Sequence, residues 1–308
     1  MRNPASSGLT QRVKRRTLRK CLIIMRFAYL EAVNYGFWDY PTIEVPSKAA
    51  HNEPMIRNLK VWQRKRAASR FVISEATWAR VEAKLPFLRF VTPADRARLR
   101  QLALEFLSTK EMSGAQGLEL RDGIRLAIAL QACLPILNLG LDYYEGWIGI
   151  VVYPGDFIIP RQQLDEAGVM HEYADVVAGE AWYGGPVLLS WYEEFEAGDN
   201  DGANVVIHEF AHKLDMLNGA ADGMPPLQPG MNSATWTRIW RSAYEDFCVR
   251  LETGEEIALD PYAAGHPAEF FAVASEVFFE TPLTLQTAYP LVYQQLKLFY
   301  RQDPAANA

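Results

Sequence analysis

The sequence predicts an α+β fold, mostly helical, with a small mixed sheet next to a helix that carries two histidines. Three observations lead there. Apolar residues recur at three- and four-residue spacing from about residue 75 to 140 and again from about residue 203 onward, the period of helices with one buried face. Between these regions lies a stretch rich in β-branched and aromatic residues, cut by glycine and proline turn signals. Helices, then a small sheet, then helices argue for α+β in the globular part.

"EATWARVEAKLPFL" and "TPADRARLRQLALEFLSTK" read as the first two helices of the body. Thr92-Pro93-Ala94-Asp95 supplies the start of the second, and Leu99, Leu102, Leu104, Phe106 and Leu107 its apolar stripe. "DGIRLAIALQACLPILNLG" is a third helix, ended or kinked near Pro135 and closed by Gly140. "GWIGIVVYPGDFIIP" then reads as strand, with turns at Gly146, Pro154-Gly155 and Pro160. "MHEYADVVAGEAWYGGPVLLSWYEEFEAG" continues the sheet as two further short strands separated by Gly184-Gly185-Pro186. "SATWTRIWRSAYEDFCVRLE", "PAEFFAVASEVFFETP" and "YPLVYQQLKLFYRQ" return to helix, and no internal repeat is present.

With 308 residues, 49% of them hydrophobic, the chain can bury a sizeable core as one large domain or two modest ones. Cys21, Cys133 and Cys248 are far apart and lack CxxC spacing, which excludes a disulfide framework and a thiolate metal site and suits a reducing cytoplasm. Residues 1–70 hold 15 Lys and Arg against 4 Asp and Glu, a net of +11, while the remainder holds 16 against 33, a net of −17. We therefore expect a basic N-terminal extension over 1–70, poorly ordered or upstream of the true start, and a body over 71–304, helical to 145 and carrying the sheet and site from 146. Met55 opens "MIRNLKVWQRKRAASRFVIS", a plausible native start. "CLIIM" and "FAYL" are too short and interrupted for a signal peptide or a membrane span. The basic cluster at 57–70 reads as a solvated face, so no direct nucleic-acid contact is expected.

The chemistry concentrates in "IHEFAHKLDMLNG", residues 207–219. On a helix His208 and His212 are one turn apart on one face and can reach one cation, while Glu209 beside them can take a proton instead of ligating. Ile207, Phe210, Ala211 and Leu214 form the apolar stripe that anchors the other face, "DGAN" supplies the start cap and Asn218-Gly219 the stop. A catalytic zinc site wants a third protein ligand and an open position. His266, Glu269, Glu276 and Glu280 are the downstream candidates, all in or near "DPYAAGHPAEFFAVASEVFFETP". Glu269 and Glu276 are seven apart on one face of a very apolar helix, where unpaired carboxylates would be costly. Glu269 is favoured as ligand and Glu276 as a hydrogen-bond support for a ligand, with the reverse left open. His266, preceding Pro267, reads as a helix cap. Two imidazoles and one carboxylate favour zinc, one per chain.

"HEFAHKLDMLNG", "DPYAAGHPAEFFAVASEVFF" and the ending "FYRQDP" resemble segments of the Mlc titration factor A family of bacterial zinc peptidases, and the likeness spans about residues 71 to 304. It implies a zincin-like fold and a cytoplasmic, gluzincin-like metallopeptidase with aminopeptidase-type activity on small peptides. It also implies His208, His212 and Glu269 as zinc ligands and Glu209 as base, with binding of the repressor Mlc to relieve repression of a phosphotransferase sugar-uptake system. Tyr262, seven residues before Glu269, has a spacing similar to that in anthrax lethal factor, where a tyrosine assists the tetrahedral intermediate. The pattern departs from the thermolysin type, because Val273 stands where an aspartate would follow the third ligand, and Asp215, three after His212, is the substitute candidate for supporting a ligand.

On this reading a peptide carbonyl is attacked by a zinc-activated water whose proton Glu209 takes and passes to the leaving amine. The strand "GPVLLSWYEE" is the candidate to pair with an extended peptide substrate, with Trp191 and Tyr192 flanking the cleft. The acidic body suits a basic or free-amino substrate end. The competing reading is a non-catalytic repressor-binding regulator with a latent zinc site.

Overall fold

The computed structural model describes residues 54–164, 170–192 and 203–308. Most of the expected extension, residues 1–53, lies outside them. From residue 54 the chain forms helix α1 (Pro54–Ala68), which packs on α3 (Pro93–Thr109). Arg64 joins it to the body through Asp142 at 2.7 Å and Glu145 at 2.6 Å, and Lys60 reaches Glu145 at 3.3 Å. Part of the basic cluster expected to face water is therefore engaged with the acidic body.

Helix α2 (Glu75–Glu82) begins at Ser74, whose hydroxyl accepts from the Thr77 amide, and a short 3₁₀ turn at Pro86–Phe90 follows it. Helix α3 starts at Thr92, which accepts from the Asp95 amide at 3.2 Å, and buries Leu99, Ala103 and Phe106 completely. Helix α4 (Asp122–Cys133) stops two residues before Pro135, whose missing N–H and ring forbid continuation, and the segment turns at Gly140 with φ +94°.

The strands among the described residues form two sheets. β1 (Glu111–Gly114), β2 (Gly149–Tyr153), β5 (Gly179–Ala181) and β6 (Val187–Ser190) order as β1-β2-β6-β5, parallel at β1-β2 and β2-β6 and antiparallel at β5-β6. β3 (Phe157–Leu164) and β4 (Met170–Val177) make a separate antiparallel pair. The expected two strands over this last region are three, because pairing partners change at Ala178. β4 pairs with β3, whereas the Ala178 carbonyl already accepts from Ser190 and β5 pairs with β6. β1 was not anticipated, since "EMSG" carries no β-branched or aromatic residue.

Helix α5 (Val205–Asp215) lies against β5, β6, α4 and α7 (Pro267–Glu280), with Ile207, Phe210, Ala211 and Leu214 fully buried. Phe210 packs into an aromatic cluster with Phe106, Tyr144 and Trp147 at ring separations of 5.6, 5.0 and 5.7 Å. Lys213, also buried, donates to the carbonyls of Trp182 and Gly185 at 2.6 and 2.8 Å, tying the β5–β6 turn to α5. Helix α6 (Ser233–Thr253) stacks Trp236 on Trp240 and packs both, tilted or edge-on, against Phe270 and Phe271 of α7. The short α8 (Pro282–Ala288), not singled out in the sequence, leads into α9 (Pro290–Tyr300). Among the described residues no helix is long and apolar enough to cross a membrane.

Candidate metal centre

The start of α5 is fixed by Asn204. Its side-chain oxygen accepts from the Ile207 amide at 3.0 Å, and its amide group donates to Gln131 of α4 and Glu280 of α7, both at 2.8 Å. This cap sets the rotation of α5 against α7, and the rotation places both histidines at the crossing.

There the Nε2 atoms of His208 and His212 are 3.1 Å apart, and Glu269 Oε2, from the first turn of α7, lies 3.0 and 3.3 Å from them. Two turns further along α7, Glu276 places Oε1 2.7 Å from His208 Nδ1, while its Oε2 accepts from the Asn204 amide. A carboxylate only accepts, so His208 Nδ1 carries a proton, and the neutral imidazole that a metal requires would present its lone pair at Nε2. That lone pair faces a carboxylate oxygen and a second imidazole nitrogen. Three electron-rich atoms gathered in this way at a buried site call for a cation between them. His208, His212 and Glu269 are the group among the described residues whose ligand atoms, all within 4.8 Å of one another, could hold a metal ion. The residues fit the group that the sequence implies.

Protons and a metal compete for these nitrogens, and the charges around them favour a cation of either kind. Burial alone would raise the Glu269 carboxyl, but the imidazoles of His212 and His208 outweigh it and hold the group well below the usual carboxylate range. Burial would likewise make His208 less basic, yet Glu276 and Glu269 push it up. Glu209 differs: burial pushes its carboxyl up to about 7, with the two histidines pulling the other way. One of its oxygens, Oε2, is buried without a hydrogen-bond partner among the described residues. Its other side meets β5, since a Cβ on Gly179 would lie 2.5 Å from Glu209 Oε1. Only a residue without a side chain lets the strand come this close.

Tyr262 sits on the 3₁₀ turn Pro261–Ala264, where Asp260 accepts from its amide at 2.8 Å, and its ring centre is 5.9 Å from that of His208. Restricted hydration, then the charges of Glu269 and Glu209, hold its phenol above the ordinary range, so it stays a proton donor. His266 caps α7, its Nδ1 accepting from the Ala268 amide at 3.1 Å. Asp215 is fully buried, but its Oδ2 accepts from the Gly223 amide at 2.7 Å. Asp215 Oδ1 and His212 Nδ1 are both buried without a hydrogen-bond partner among the described residues, so within them the bond that Glu276 makes to His208 has no counterpart at His212.

The expected substrate strand requires a correction. β6 has β2 on one edge and β5 on the other, which leaves it no edge for a peptide. The outer edge of β5 has no strand on it among the described residues, and it is β5 that touches Glu209. Trp191 continues the pairing, its amide donating to the Tyr153 carbonyl at 2.8 Å, and the Tyr192 hydroxyl accepts from the Asp156 amide at 3.0 Å, so both are engaged at the β2–β3 turn. Sequence reasoning placed the start cap in "DGAN" but missed the bonds from Asn204 to Gln131 and Glu280, and it missed Gly179. Nothing local marked either.

A helix presenting two imidazoles to a carboxylate from a crossing helix, with a buried free glutamate alongside, defines a metallopeptidase-type centre. Residues 59–301 match the family described as glucose-regulated metallo-peptidase M90, and the chain belongs to that family. It is 37% identical over 233 residues to Mlc titration factor A of Klebsiella pneumoniae, covering 75% of this chain and 88% of that protein. Mlc titration factor A of Salmonella arizonae is 38% identical over 238 residues, 76% of this chain and 94% of that one. The Salmonella gallinarum protein of the same name is 39% identical over 224 residues, 72% and 84% of the two chains.

Proposed function

We propose that the protein is a zinc-dependent peptidase of the aminopeptidase type, zincin-like in fold, with its catalytic body within residues 71–304. The carrying observation is the triangle of His208, His212 and Glu269 ligand atoms with the unpartnered Glu209 oxygen beside it. Zinc held there would supply Lewis acidity, polarising a peptide carbonyl and acidifying water. Glu276 keeps His208 in the ligating tautomer. Glu209, with its carboxyl near 7, takes the proton from the attacking water and returns it to the leaving amine. Tyr262 donates its hydroxyl proton to the oxyanion that develops on the carbonyl. The outer edge of β5, on which no described strand lies, offers backbone groups to an extended peptide, taking the place assigned in the sequence to β6.

The relatives' name supports a second role on the same chain, binding of Mlc; the family resemblance extends it to a cytoplasmic repressor partner whose binding relieves repression of sugar uptake. The test of the chemistry is bound-metal stoichiometry on wild type, Glu269→Ala and Glu276→Ala, with hydrolysis of amino-acid p-nitroanilides on the same samples. One zinc per chain, lost together with hydrolysis in Glu269→Ala, is expected. A metal-free wild type that resists reconstitution would refute the peptidase reading and leave the repressor-binding role.

A further inference from the structure

Helix α1 carries cations on two sides. On the side that packs on the body, Arg64 and Lys60 are paired with Asp142 and Glu145, and Ala68 is buried. The other side faces outward: Leu59 and Trp62 are each 54% exposed, and Gln63, Lys65, Arg66 and Arg70 are exposed with them. Spacings of three, four and seven residues put Leu59, Trp62, Gln63 and Arg66 on one face, and the Arg66 guanidinium lies over the Trp62 ring at 5.3 Å. Arg70 lies one turn beyond Arg66, just past the helix end, and Phe71 and Val72 follow it at 39% and 93% exposure.

A merely solvated helix face is polar throughout, whereas this one sets large apolar side chains among cations. Lys65, Arg66 and Arg70 have no ion-pair partner among the described residues, and the stretch from 54 to 74 contains no Asp or Glu. The body behind it carries the opposite sign, a net of −17 over residues 71–308. Charge therefore selects an anionic partner on the α1 side of the molecule. The apolar residues decide its class. Leu59 and Val72 are aliphatic and stack on no base, which argues against a nucleic acid, where cations and aromatic rings carry the contact. Lys and Arg set among Trp, Leu, Phe and Val suit the boundary between lipid headgroups and acyl chains, where cations reach phosphates and apolar side chains enter the hydrocarbon. At its exposure Val72 projects from the surface, as entry into a soft layer needs.

We propose that the outward face of α1, from Leu59 to Val72, is a docking surface for an anionic phospholipid bilayer, on which the protein lies without crossing it. The inference does not rest on the peptidase reading. Because the ion pairs of Arg64 and Lys60 hold α1 on the body, docking brings the whole chain to the lipid. The acidic body, repelled by the same headgroups that attract α1, fixes the orientation.

The test is co-sedimentation of the full chain with vesicles of phosphatidylcholine alone and of an equal mixture of phosphatidylcholine and phosphatidylglycerol, in low salt and at physiological ionic strength. Binding to the anionic vesicles, weaker on the neutral ones and reduced by salt, is expected. Arg66→Gln with Arg70→Gln removes charge and should weaken binding to the anionic vesicles about tenfold or more, the scale of two cations near an anionic surface. Leu59→Ser with Trp62→Ser keeps the charge and should weaken it about tenfold through lost apolar area. Urea-unfolding midpoints on the same samples separate lost docking from lost folding, and the single variants Arg66→Gln and Trp62→Ser carry the comparison where a double variant is destabilised. No binding to either vesicle, equal binding to both, or binding that none of these variants weakens would overturn the proposal. A short DNA duplex bound more tightly than the anionic vesicles, with only the charge variant affected, would overturn it as well and make the face a nucleic-acid contact.

Discussion

Gly179→Ala isolates the general base without touching a ligand. Gly179 is outside the positive-φ glycines, so alanine suits its backbone and the whole effect lies in the added Cβ. That Cβ would stand 2.5 Å from Glu209 Oε1, 2.7 Å from Cγ and 2.8 Å from Cδ, so the carboxylate must retreat by about 1 Å to regain ordinary contact. Overpacking of this kind costs about 1 to 3 kcal/mol of stability. A misplacement of about 1 Å at a reacting group costs on the order of 10²-fold in rate. The three atoms nearest the new methyl all belong to Glu209, so zinc stoichiometry should be unchanged while kcat falls about 10²-fold and KM holds. The assay is p-nitroanilide hydrolysis with metal analysis on the same sample, extended to the double variant with Glu209→Gln. If the methyl acts by moving Glu209, the double variant is no slower than Glu209→Gln alone. Wild-type kcat in Gly179→Ala, or loss of zinc with the rate, would refute the reasoning.

Glu276→Gln should leave zinc bound but weaken its affinity about 10- to 100-fold, because His208 loses the carboxylate that fixes its tautomer; competition with a chelator measures it. Tyr262→Phe should lower kcat about 10²-fold with zinc content unchanged, and an unchanged kcat would remove the tyrosine from the chemistry. Asp215→Asn gives a pH-dependent stability. Burial raises the folded-state carboxyl to about 7, so the wild type resists ionisation there and loses stability as pH climbs from about 4 through 7. The variant should match wild type near pH 4 and gain up to about 4 kcal/mol above pH 7, read from denaturant midpoints across that range. The rate–pH profile should rise with pH on a limb at or below about 7 for Glu209, since the cation that opposes burial favours the ionised form, and Glu209→Gln should abolish that limb.

How much of this could be read in advance follows from the range over which each constraint acts. His208 and His212 share a face because 3.6-residue periodicity acts within one element, and the same holds for Glu269 and Glu276 seven residues apart on α7. Thr92 and Asn204 announce helix starts through bonds to amides three residues on. Gly179 could not be read this way, because its requirement comes from Glu209, thirty residues later, crossing the strand. β1 exists only because β2, more than thirty residues on, pairs with it.

The misplaced substrate strand shows how a correct local reading can produce a wrong tertiary one. "VLLS" is the most conspicuous strand near the motif because all four of its residues are buried. They are buried because β6 lies inside the sheet with both edges filled, so the apolarity that recommends it as a peptide partner follows from its having no edge to offer. A substrate-pairing strand should show the opposite character: short, partly polar, with a small residue where the backbone must approach the base. β5, "GEA", has that character, with Gly179 against Glu209 and Glu180 reaching toward Arg161. The strand least visible to hydrophobic patterning is the one whose edge the chemistry requires.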